Sequence, residues 1–251
     1  MFTELLNLII KYGLLNRMYV FISFLGILFC SVELKARTLY FSALDGTVNT
    51  DISELVLKEA YGRLGIKISV RRYPGDRSLR YSNRGDTDGE LFRVDNIDFK
   101  YQNLVKVSVP VNKMEVLAYS KRGDITASGW ASLLPYKVGI RRGIKFSEYG
   151  TKLMKPYVVN LNQQLISILL KDKVDVIVLS RGNGLEMIKK FNVPEIKAIE
   201  PAIEEYDLFH YLHKKNRYLV PELERVLEQM KEEGFIANLR QEVLHKISNK
   251  F

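Results

Sequence analysis

TLYFSALDGTVNTDISELVLKEAYGRLGIKISV, residues 38–70, decides the fold class. Thr38–Ala43 is a short β-like run. Asp51 with Glu54 offers a capping-box start for DISELVLKEAY, in which Ile52, Leu55, Val56 and Ala60 fall on one helical stripe. Gly65 ends that helix, and Ile66, Ile68 and Val70 alternate as a second strand. Pro74-Gly75-Asp76 then opens a short helix, Gly85 closes it, and Thr87–Phe92 returns as strand. Strands alternating with helices predict an α/β chain with a parallel sheet and right-handed crossovers.

The pattern repeats beyond Tyr119. Tyr136–Ile140 reads as strand, Lys145–Leu153 as helix, and Pro156–Val159 as strand. Asn162 caps QQLISILLK, Val174–Leu179 is a continuous apolar run suited to a strand covered on both faces, and Leu185–Phe191 is helical. Asp207–Leu212 is strand-like. Two helices end the chain: one led by Pro221 with Leu223, Val226, Leu227 and Met230 in register, and, after Gly234, one marked by Ile236, Leu239, Val243 and Ile247. No long Gly/Ser/Pro linker separates these units, so two lobes would be joined by ordinary strand or loop crossings.

The first 36 residues read differently. Lys11 and Arg17 precede an apolar run, Met18–Cys30, and Leu34-Lys35-Ala36 follows, which is the anatomy of a secretory signal peptide cut near Ala36. Thirteen apolar residues as a helix reach only about 20 Å, short of the roughly 30 Å hydrocarbon core, so an uncleaved anchor is the weaker expectation. The chain of 251 residues is 47 % apolar and 27 % charged, proportions of a foldable protein. Its one cysteine, Cys30, excludes a disulfide framework and a thiolate metal cage, and export would leave no cysteine at all. The net charge of +9 falls to +8 without residues 1–36, which hold three bases and two acids. Such a charge suits a polyanion, an anionic membrane or an acidic ligand.

Four stretches, in order behind that signal, resemble the periplasmic solute-binding proteins of the amino-acid type, family 3. YPGDRSLRYSNRGDTDGELFRV, residues 73–94, resembles that family's helix and Asp-Gly-Glu strand. YQNLVKVSVPV, residues 101–111, resembles the stretch leading into the first inter-lobe crossing. VDVIVLSRGNG, residues 174–184, resembles the second-lobe strand and helix start beside the ligand, and YDLFHYLHKKN, residues 206–216, the return crossing. The resemblance implies a two-lobed type II periplasmic-binding-protein fold. Lobe 1 would hold residues 37–119 and 206–251, lobe 2 the inserted residues 120–205, with a ligand in the cleft at two hinge crossings. The function it implies is capture of a small polar solute by lobe closure, for delivery to an ABC importer. Sensing on behalf of a membrane receptor and a dehydratase-like activity are the alternatives. A monomer with no cofactor and no nucleic-acid partner is expected.

In that geometry Ser42 and Asp45 follow the first strand and face the cleft, and Tyr73 after the second strand is an aromatic wall. Arg77 and Arg93 each offer a guanidinium that can clamp a carboxylate through two parallel N–H bonds. Arg80 and Arg84 are read as solvated. Gly143-Ile144-Lys145 precedes a helix whose free N–H groups attract an anion, the segment that meets the ligand carboxylate in the resembled family. Ser180 is a departure. Amino-acid binders of that family usually place an acid five positions after the Asp of the second-lobe strand, and here the fifth position after Asp175 is Ser180. A hydroxyl cannot neutralise a buried ammonium, so an amino-acid ligand would need Asp45, Glu90 or Glu148 to supply the charge.

Catalytic signals are sparse. His210 and His213 lie three apart on a strand, hence on opposite faces, and with His245 read as packing or surface residues. No H-x-x-x-H, C-x-x-C, G-x-S-x-G or phosphate-loop pattern occurs. Asp86, Asp88 and Glu90 alternate along one strand face, where solvation at a turn and strand edge accounts for them.

Overall fold

The computed structural model describes residues 38–249, so the signal-peptide reading lies outside the described residues. Arg37–Phe251 forms one compact unit. Its backbone is a single mixed sheet in the order β2-β1-β3-β8-β4-β7-β5-β6. The strands are β1 (Leu39–Leu44), β2 (Ile68–Tyr73), β3 (Gly89–Arg93), β4 (Leu104–Ser120), β5 (Val138–Arg141), β6 (Tyr157–Val159), β7 (Val176–Ser180) and β8 (Lys197–His213). The helices are α1 (Val48–Arg63), α2 (Gly75–Arg84), α3 (Lys145–Gly150), α4 (Asn162–Leu170), α5 (Arg181–Phe191), α6 (Val220–Glu232) and α7 (Phe235–Asn249).

The expected parallel units appear at the two ends of the sheet: β1 pairs in parallel with β2 and β3, and β5 with β6 and β7. The centre of the sheet is antiparallel and holds the two crossings. β4 and β8 are each 17 residues long, run antiparallel to each other, and join the two ends. Asp207–Leu212 is thus the last third of a strand that begins at Lys197.

The helix starts also shift. Thr47, not Asp51, caps α1, its hydroxyl accepting from the Asn49 N–H at 3.1 Å. Asp51 instead joins Glu54 in holding Arg72 on neighbouring β2. α5 begins at Arg181, four residues ahead of the apolar periodicity, because Ser180 ends the buried strand β7 and the chain turns directly into helix.

The main core lies around β1, β3, β4 and α1 and continues to α6, with Phe41, Val56, Leu57, Leu91, Val107 and Leu223 fully buried. A second apolar cluster packs Leu165 and Leu169 of α4 against Ile177 of β7 and Tyr119 of β4. At about 25 cal/mol per Å² of apolar area removed from water, such clusters supply most of the folding drive.

His210 is a core residue. Its ring lies 4.7 Å from Phe41, edge to face, with Nδ1 3.0 Å from the Leu91 carbonyl and Nε2 2.9 Å from the Tyr61 hydroxyl. The carbonyl can only accept, so Nδ1 carries the proton and Nε2 accepts from Tyr61. Burial lowers the imidazole pKa to about 4. Between pH 6.5 and about 4 the unfolded chain therefore binds a proton that the native state refuses, and stability falls as pH falls. Lowering the pH from 7 to 5 should cost the wild type about 2 kcal/mol more than it costs His210→Asn. Urea unfolding at both pH values checks this, and equal pH dependence in the two proteins would remove His210 as the cause. The comparison cancels His213, whose pKa burial also lowers, and Glu90 and Glu186, whose carboxyls burial raises in opposition.

Candidate functional site

Parallel strands end where their helices begin, and four such ends converge. The carboxyl ends of β1 and β3 approach those of β5 and β7, with the middles of β4 and β8 as floor. Between them is a cavity of about 280 Å³. This is the small end of the roughly 300–1,000 Å³ usual for small-molecule sites. Leu79, Phe92, Met114, Phe146, Val178 and Leu208 supply apolar wall. Its charged lining is Arg93, Lys100, Arg141, Lys145 and Asp95.

Two polar atoms in this lining are buried without a protein partner: the Ser180 hydroxyl and Arg141 Nε. Ser180 is 4 % exposed and occupies the N-cap position of α5 without capping it. Asn183, in the first turn of the same helix, also lines the cavity. Burial pushes the Arg141 guanidinium below the ordinary arginine value.

The two sides of the cavity touch directly. Arg141 donates to the backbone carbonyls of Gly46 at 3.2 Å and Asp45 at 3.3 Å, and the Val48 N–H donates to Asn183 at 2.9 Å. The Lys145 ammonium lies 3.2 Å from Asp76. At Gly75 a Cβ would stand 3.0 Å from the Gly143 carbonyl, so the backbones meet there with no room for a side chain.

No family model matches the chain. An uncharacterized protein of Shewanella oneidensis is 27 % identical over 201 residues, covering 76 % of this chain and 75 % of that protein. A histidine kinase sensor domain with similarity to periplasmic binding proteins superposes with a TM-score of 0.68 at 13 % identity, covering 83 % of this chain and 96 % of its own. An amino-acid ABC transporter substrate-binding protein from Streptococcus pneumoniae, bound to L-arginine, superposes with a TM-score of 0.66 at 20 % identity, covering 87 % and 98 %. The chain has the type II periplasmic-binding-protein fold.

On that fold the nine sequence candidates divide. Arg93, Gly143, Ile144, Lys145 and Ser180 line the cavity; Ser42, Asp45, Tyr73 and Arg77 are not among its lining residues. Ser42 is fully buried, its hydroxyl 2.8 Å from that of Thr87. Asp45 is exposed; its backbone carbonyl accepts from Arg141, and its carboxylate acts on that guanidinium through charge alone. Tyr73 packs edge to face on Tyr81 at 4.8 Å, and Arg77 is exposed, as is Arg80.

Arg93 is already committed. Its Nε donates to Glu90 at 2.8 Å, a second N–H of its fork also meets that carboxylate, and it reaches the Gly75 carbonyl at 3.3 Å. Glu90 is fully buried and also accepts from the Ser78 hydroxyl at 2.7 Å and the Ser82 hydroxyl at 3.0 Å. Burial raises its pKa against the pull of Arg93 and the two serines. Solvation therefore does not describe the Asp86, Asp88 and Glu90 alternation. Asp86 is exposed beside Arg84, but Asp88 is buried, receiving the Tyr40 N–H at 2.9 Å and the Asn216 amide at 3.1 Å.

The Gly143 segment is similarly occupied from within. α3 has only six residues, and Glu148 accepts from the Gly143 N–H at 2.7 Å and from Lys145 at 3.1 Å. Arg141, which lines the cavity, is not among the nine residues singled out from the sequence. Its place at the last position of β5, beside the turn that enters the cleft, is the signal that could have found it. Among the described residues no group of three or more His, Cys, Asp or Glu is placed to hold a metal ion. Nor is any described helix long and apolar enough to cross a membrane.

Proposed function

We propose that this protein is an exported solute-binding protein that captures a small, polar, carboxylate-bearing molecule by closing lobe 1, residues 37–119 and 206–251, on lobe 2, residues 120–205, and delivers it to an ABC importer. The observation that carries the reading is the cavity between the strand ends, with Arg141 Nε and Ser180 Oγ buried in its wall and unpartnered. A buried polar atom left unsatisfied costs about 1–3 kcal/mol, which a ligand oxygen would recover. The contacts of Arg141 with Gly46 and Asp45, and of Lys145 with Asp76, are the kind that hinge closure makes and opening breaks. Ser180 and Arg141 are the proposed ligand contacts, and Arg93, Gly143, Ile144 and Lys145 are proposed to shape the wall around them, Arg93 through its pair with Glu90 and Gly143 and Lys145 through Glu148. Sensing for a membrane receptor is the second reading, favoured by the likeness to a histidine kinase sensor domain.

A thermal-shift screen of Arg37–Phe251 against amino acids, other carboxylates, polyamines and short peptides tests binding. A solute at 100 times its dissociation constant adds about 2.7 kcal/mol, a rise of roughly 5–10 °C for a domain of this size. The solute should be recovered unchanged after incubation; formation of a product would place the protein among enzymes, and a screen without any shift would sink the binding reading.

A further inference from the structure

Every acid around the cavity already has a cation or strong donors of its own. Asp95, the single carboxylate among the lining residues, is held by Lys106 at 2.7 Å and by the Asn96 N–H at 2.7 Å, and these lower its pKa. Glu90 is enclosed by Arg93, Ser78 and Ser82, and Glu148 by Gly143 and Lys145. Glu204 accepts from the Trp130 indole at 2.5 Å and from the Tyr206 hydroxyl. Asp45, the remaining source of negative charge that an ammonium could have used, is exposed and outside the lining.

The positive side is less saturated. Arg141 hydrogen-bonds only to backbone carbonyls, with Nε unpartnered, and the one acid whose charge acts on it, Asp45, is exposed and makes no side-chain hydrogen bond to it. The Lys100 ammonium, also in the lining, stands 5.7 Å over the Tyr101 ring. The Ser180 hydroxyl is buried and unpartnered at the amino end of the eleven-residue helix α5, where free N–H groups and the helix dipole favour negative charge. Much of the remaining wall is apolar, interrupted by uncharged polar side chains such as Asn162, Asn183 and Tyr206.

We infer that the cavity takes a small organic anion, a carboxylate on an apolar body, that carries no ammonium group. The inference rests on the solute-binding reading above and narrows it. The carboxylate meets Arg141 and the Ser180 end of α5, and the apolar body lies along Phe92, Met114 and Phe146. An α-amino acid would bring the same carboxylate with a buried ammonium that no lining acid can pair, a cost of several kcal/mol.

Isothermal titration of Arg37–Phe251 with matched pairs tests this: 3-phenylpropanoate against L-phenylalanine, and 4-methylpentanoate against L-leucine. The amine-free member of at least one pair should bind about 100-fold tighter or more. Ser180→Asp places a carboxylate at the unpartnered position and should narrow that ratio at least about tenfold, whereas the uncharged, similarly sized Ser180→Asn should leave it unchanged. Should Ser180→Asp fail to fold, the wild-type ratio alone decides. An amino acid binding as well as, or better than, its amine-free partner would overturn the inference and leave the solute-binding function standing. Binding by no solute in these pairs or in the broader screen would overturn both.

Discussion

Arg93→Ala should destabilise the protein by about 3–5 kcal/mol, the cost of leaving one partner of a buried ion pair uncompensated. The stranded group is Glu90, fully buried and held by Ser78, Ser82 and Arg93. Burial already raises its carboxyl pKa with Arg93 in place. Without the guanidinium it rises further, so the variant can relieve its defect by taking up a proton. Two consequences follow in urea unfolding. The loss should be larger at pH 7 than at pH 5, because at the lower pH more of Glu90 is neutral. Adding Glu90→Gln to Arg93→Ala should recover a large part of the loss, since a neutral amide still accepts from the serines. A variant of unchanged stability that loses only ligand affinity would show instead that Arg93 is a solvated ligand clamp.

That contrast marks where sequence reading ran out. The alternation of apolar strands and helical stripes is a local property, and it located both parallel units, because β1, β2, β5 and β7 each carry their burial pattern in their own residues. The end of β7 at Ser180 was nearly legible from its apolar run, but the turn directly into helix was implied only by the family resemblance, since the apolar periodicity begins at Leu185. The partners of each charge are not local. Glu90 and Arg93 are three apart in a short strand, and nothing in ELFR says that α2 will lay Ser78 and Ser82 over the carboxylate. A buried acid and a solvated one have the same letter, so Arg93 read as an available clamp. Arg141, which completes the cavity wall against Gly46 and Asp45, depends on residues nearly a hundred positions away. The long crossings were half legible. Their pairing with each other extends from Leu104 opposite His213 to Ser120 opposite Lys197, and it overrides the propensity of segments such as EPAIEEYD that carry little strand signal alone.

Gly89→Ala should unfold or severely weaken the protein, with a loss of about 3 kcal/mol or more, and should also abolish any thermal response to ligand. A Cβ at Gly89 would stand 2.2 Å from the Tyr211 carbonyl oxygen and 3.0 Å from the Leu212 Cα, both backbone atoms of β8 that cannot rotate away. Gly89 and Glu90 pair with Leu212 and Tyr211, and the register then shifts before Arg93 meets Phe209. Relief of the overlap therefore requires β3 to move away from β8. That movement carries Glu90 out of reach of Ser78 and displaces Arg93 from the cavity wall, so stability and binding fail from one cause. It would also disturb the His213 N–H bond to the Asp88 carbonyl, 2.9 Å long, which fastens the start of the same strand to the end of β8. Far-ultraviolet circular dichroism with urea unfolding reads the first effect, and thermal shift with a solute found for the wild type reads the second. Full stability with intact binding in Gly89→Ala would show that close contact of β3 with β8 does not hold the Glu90–Arg93 pair in place.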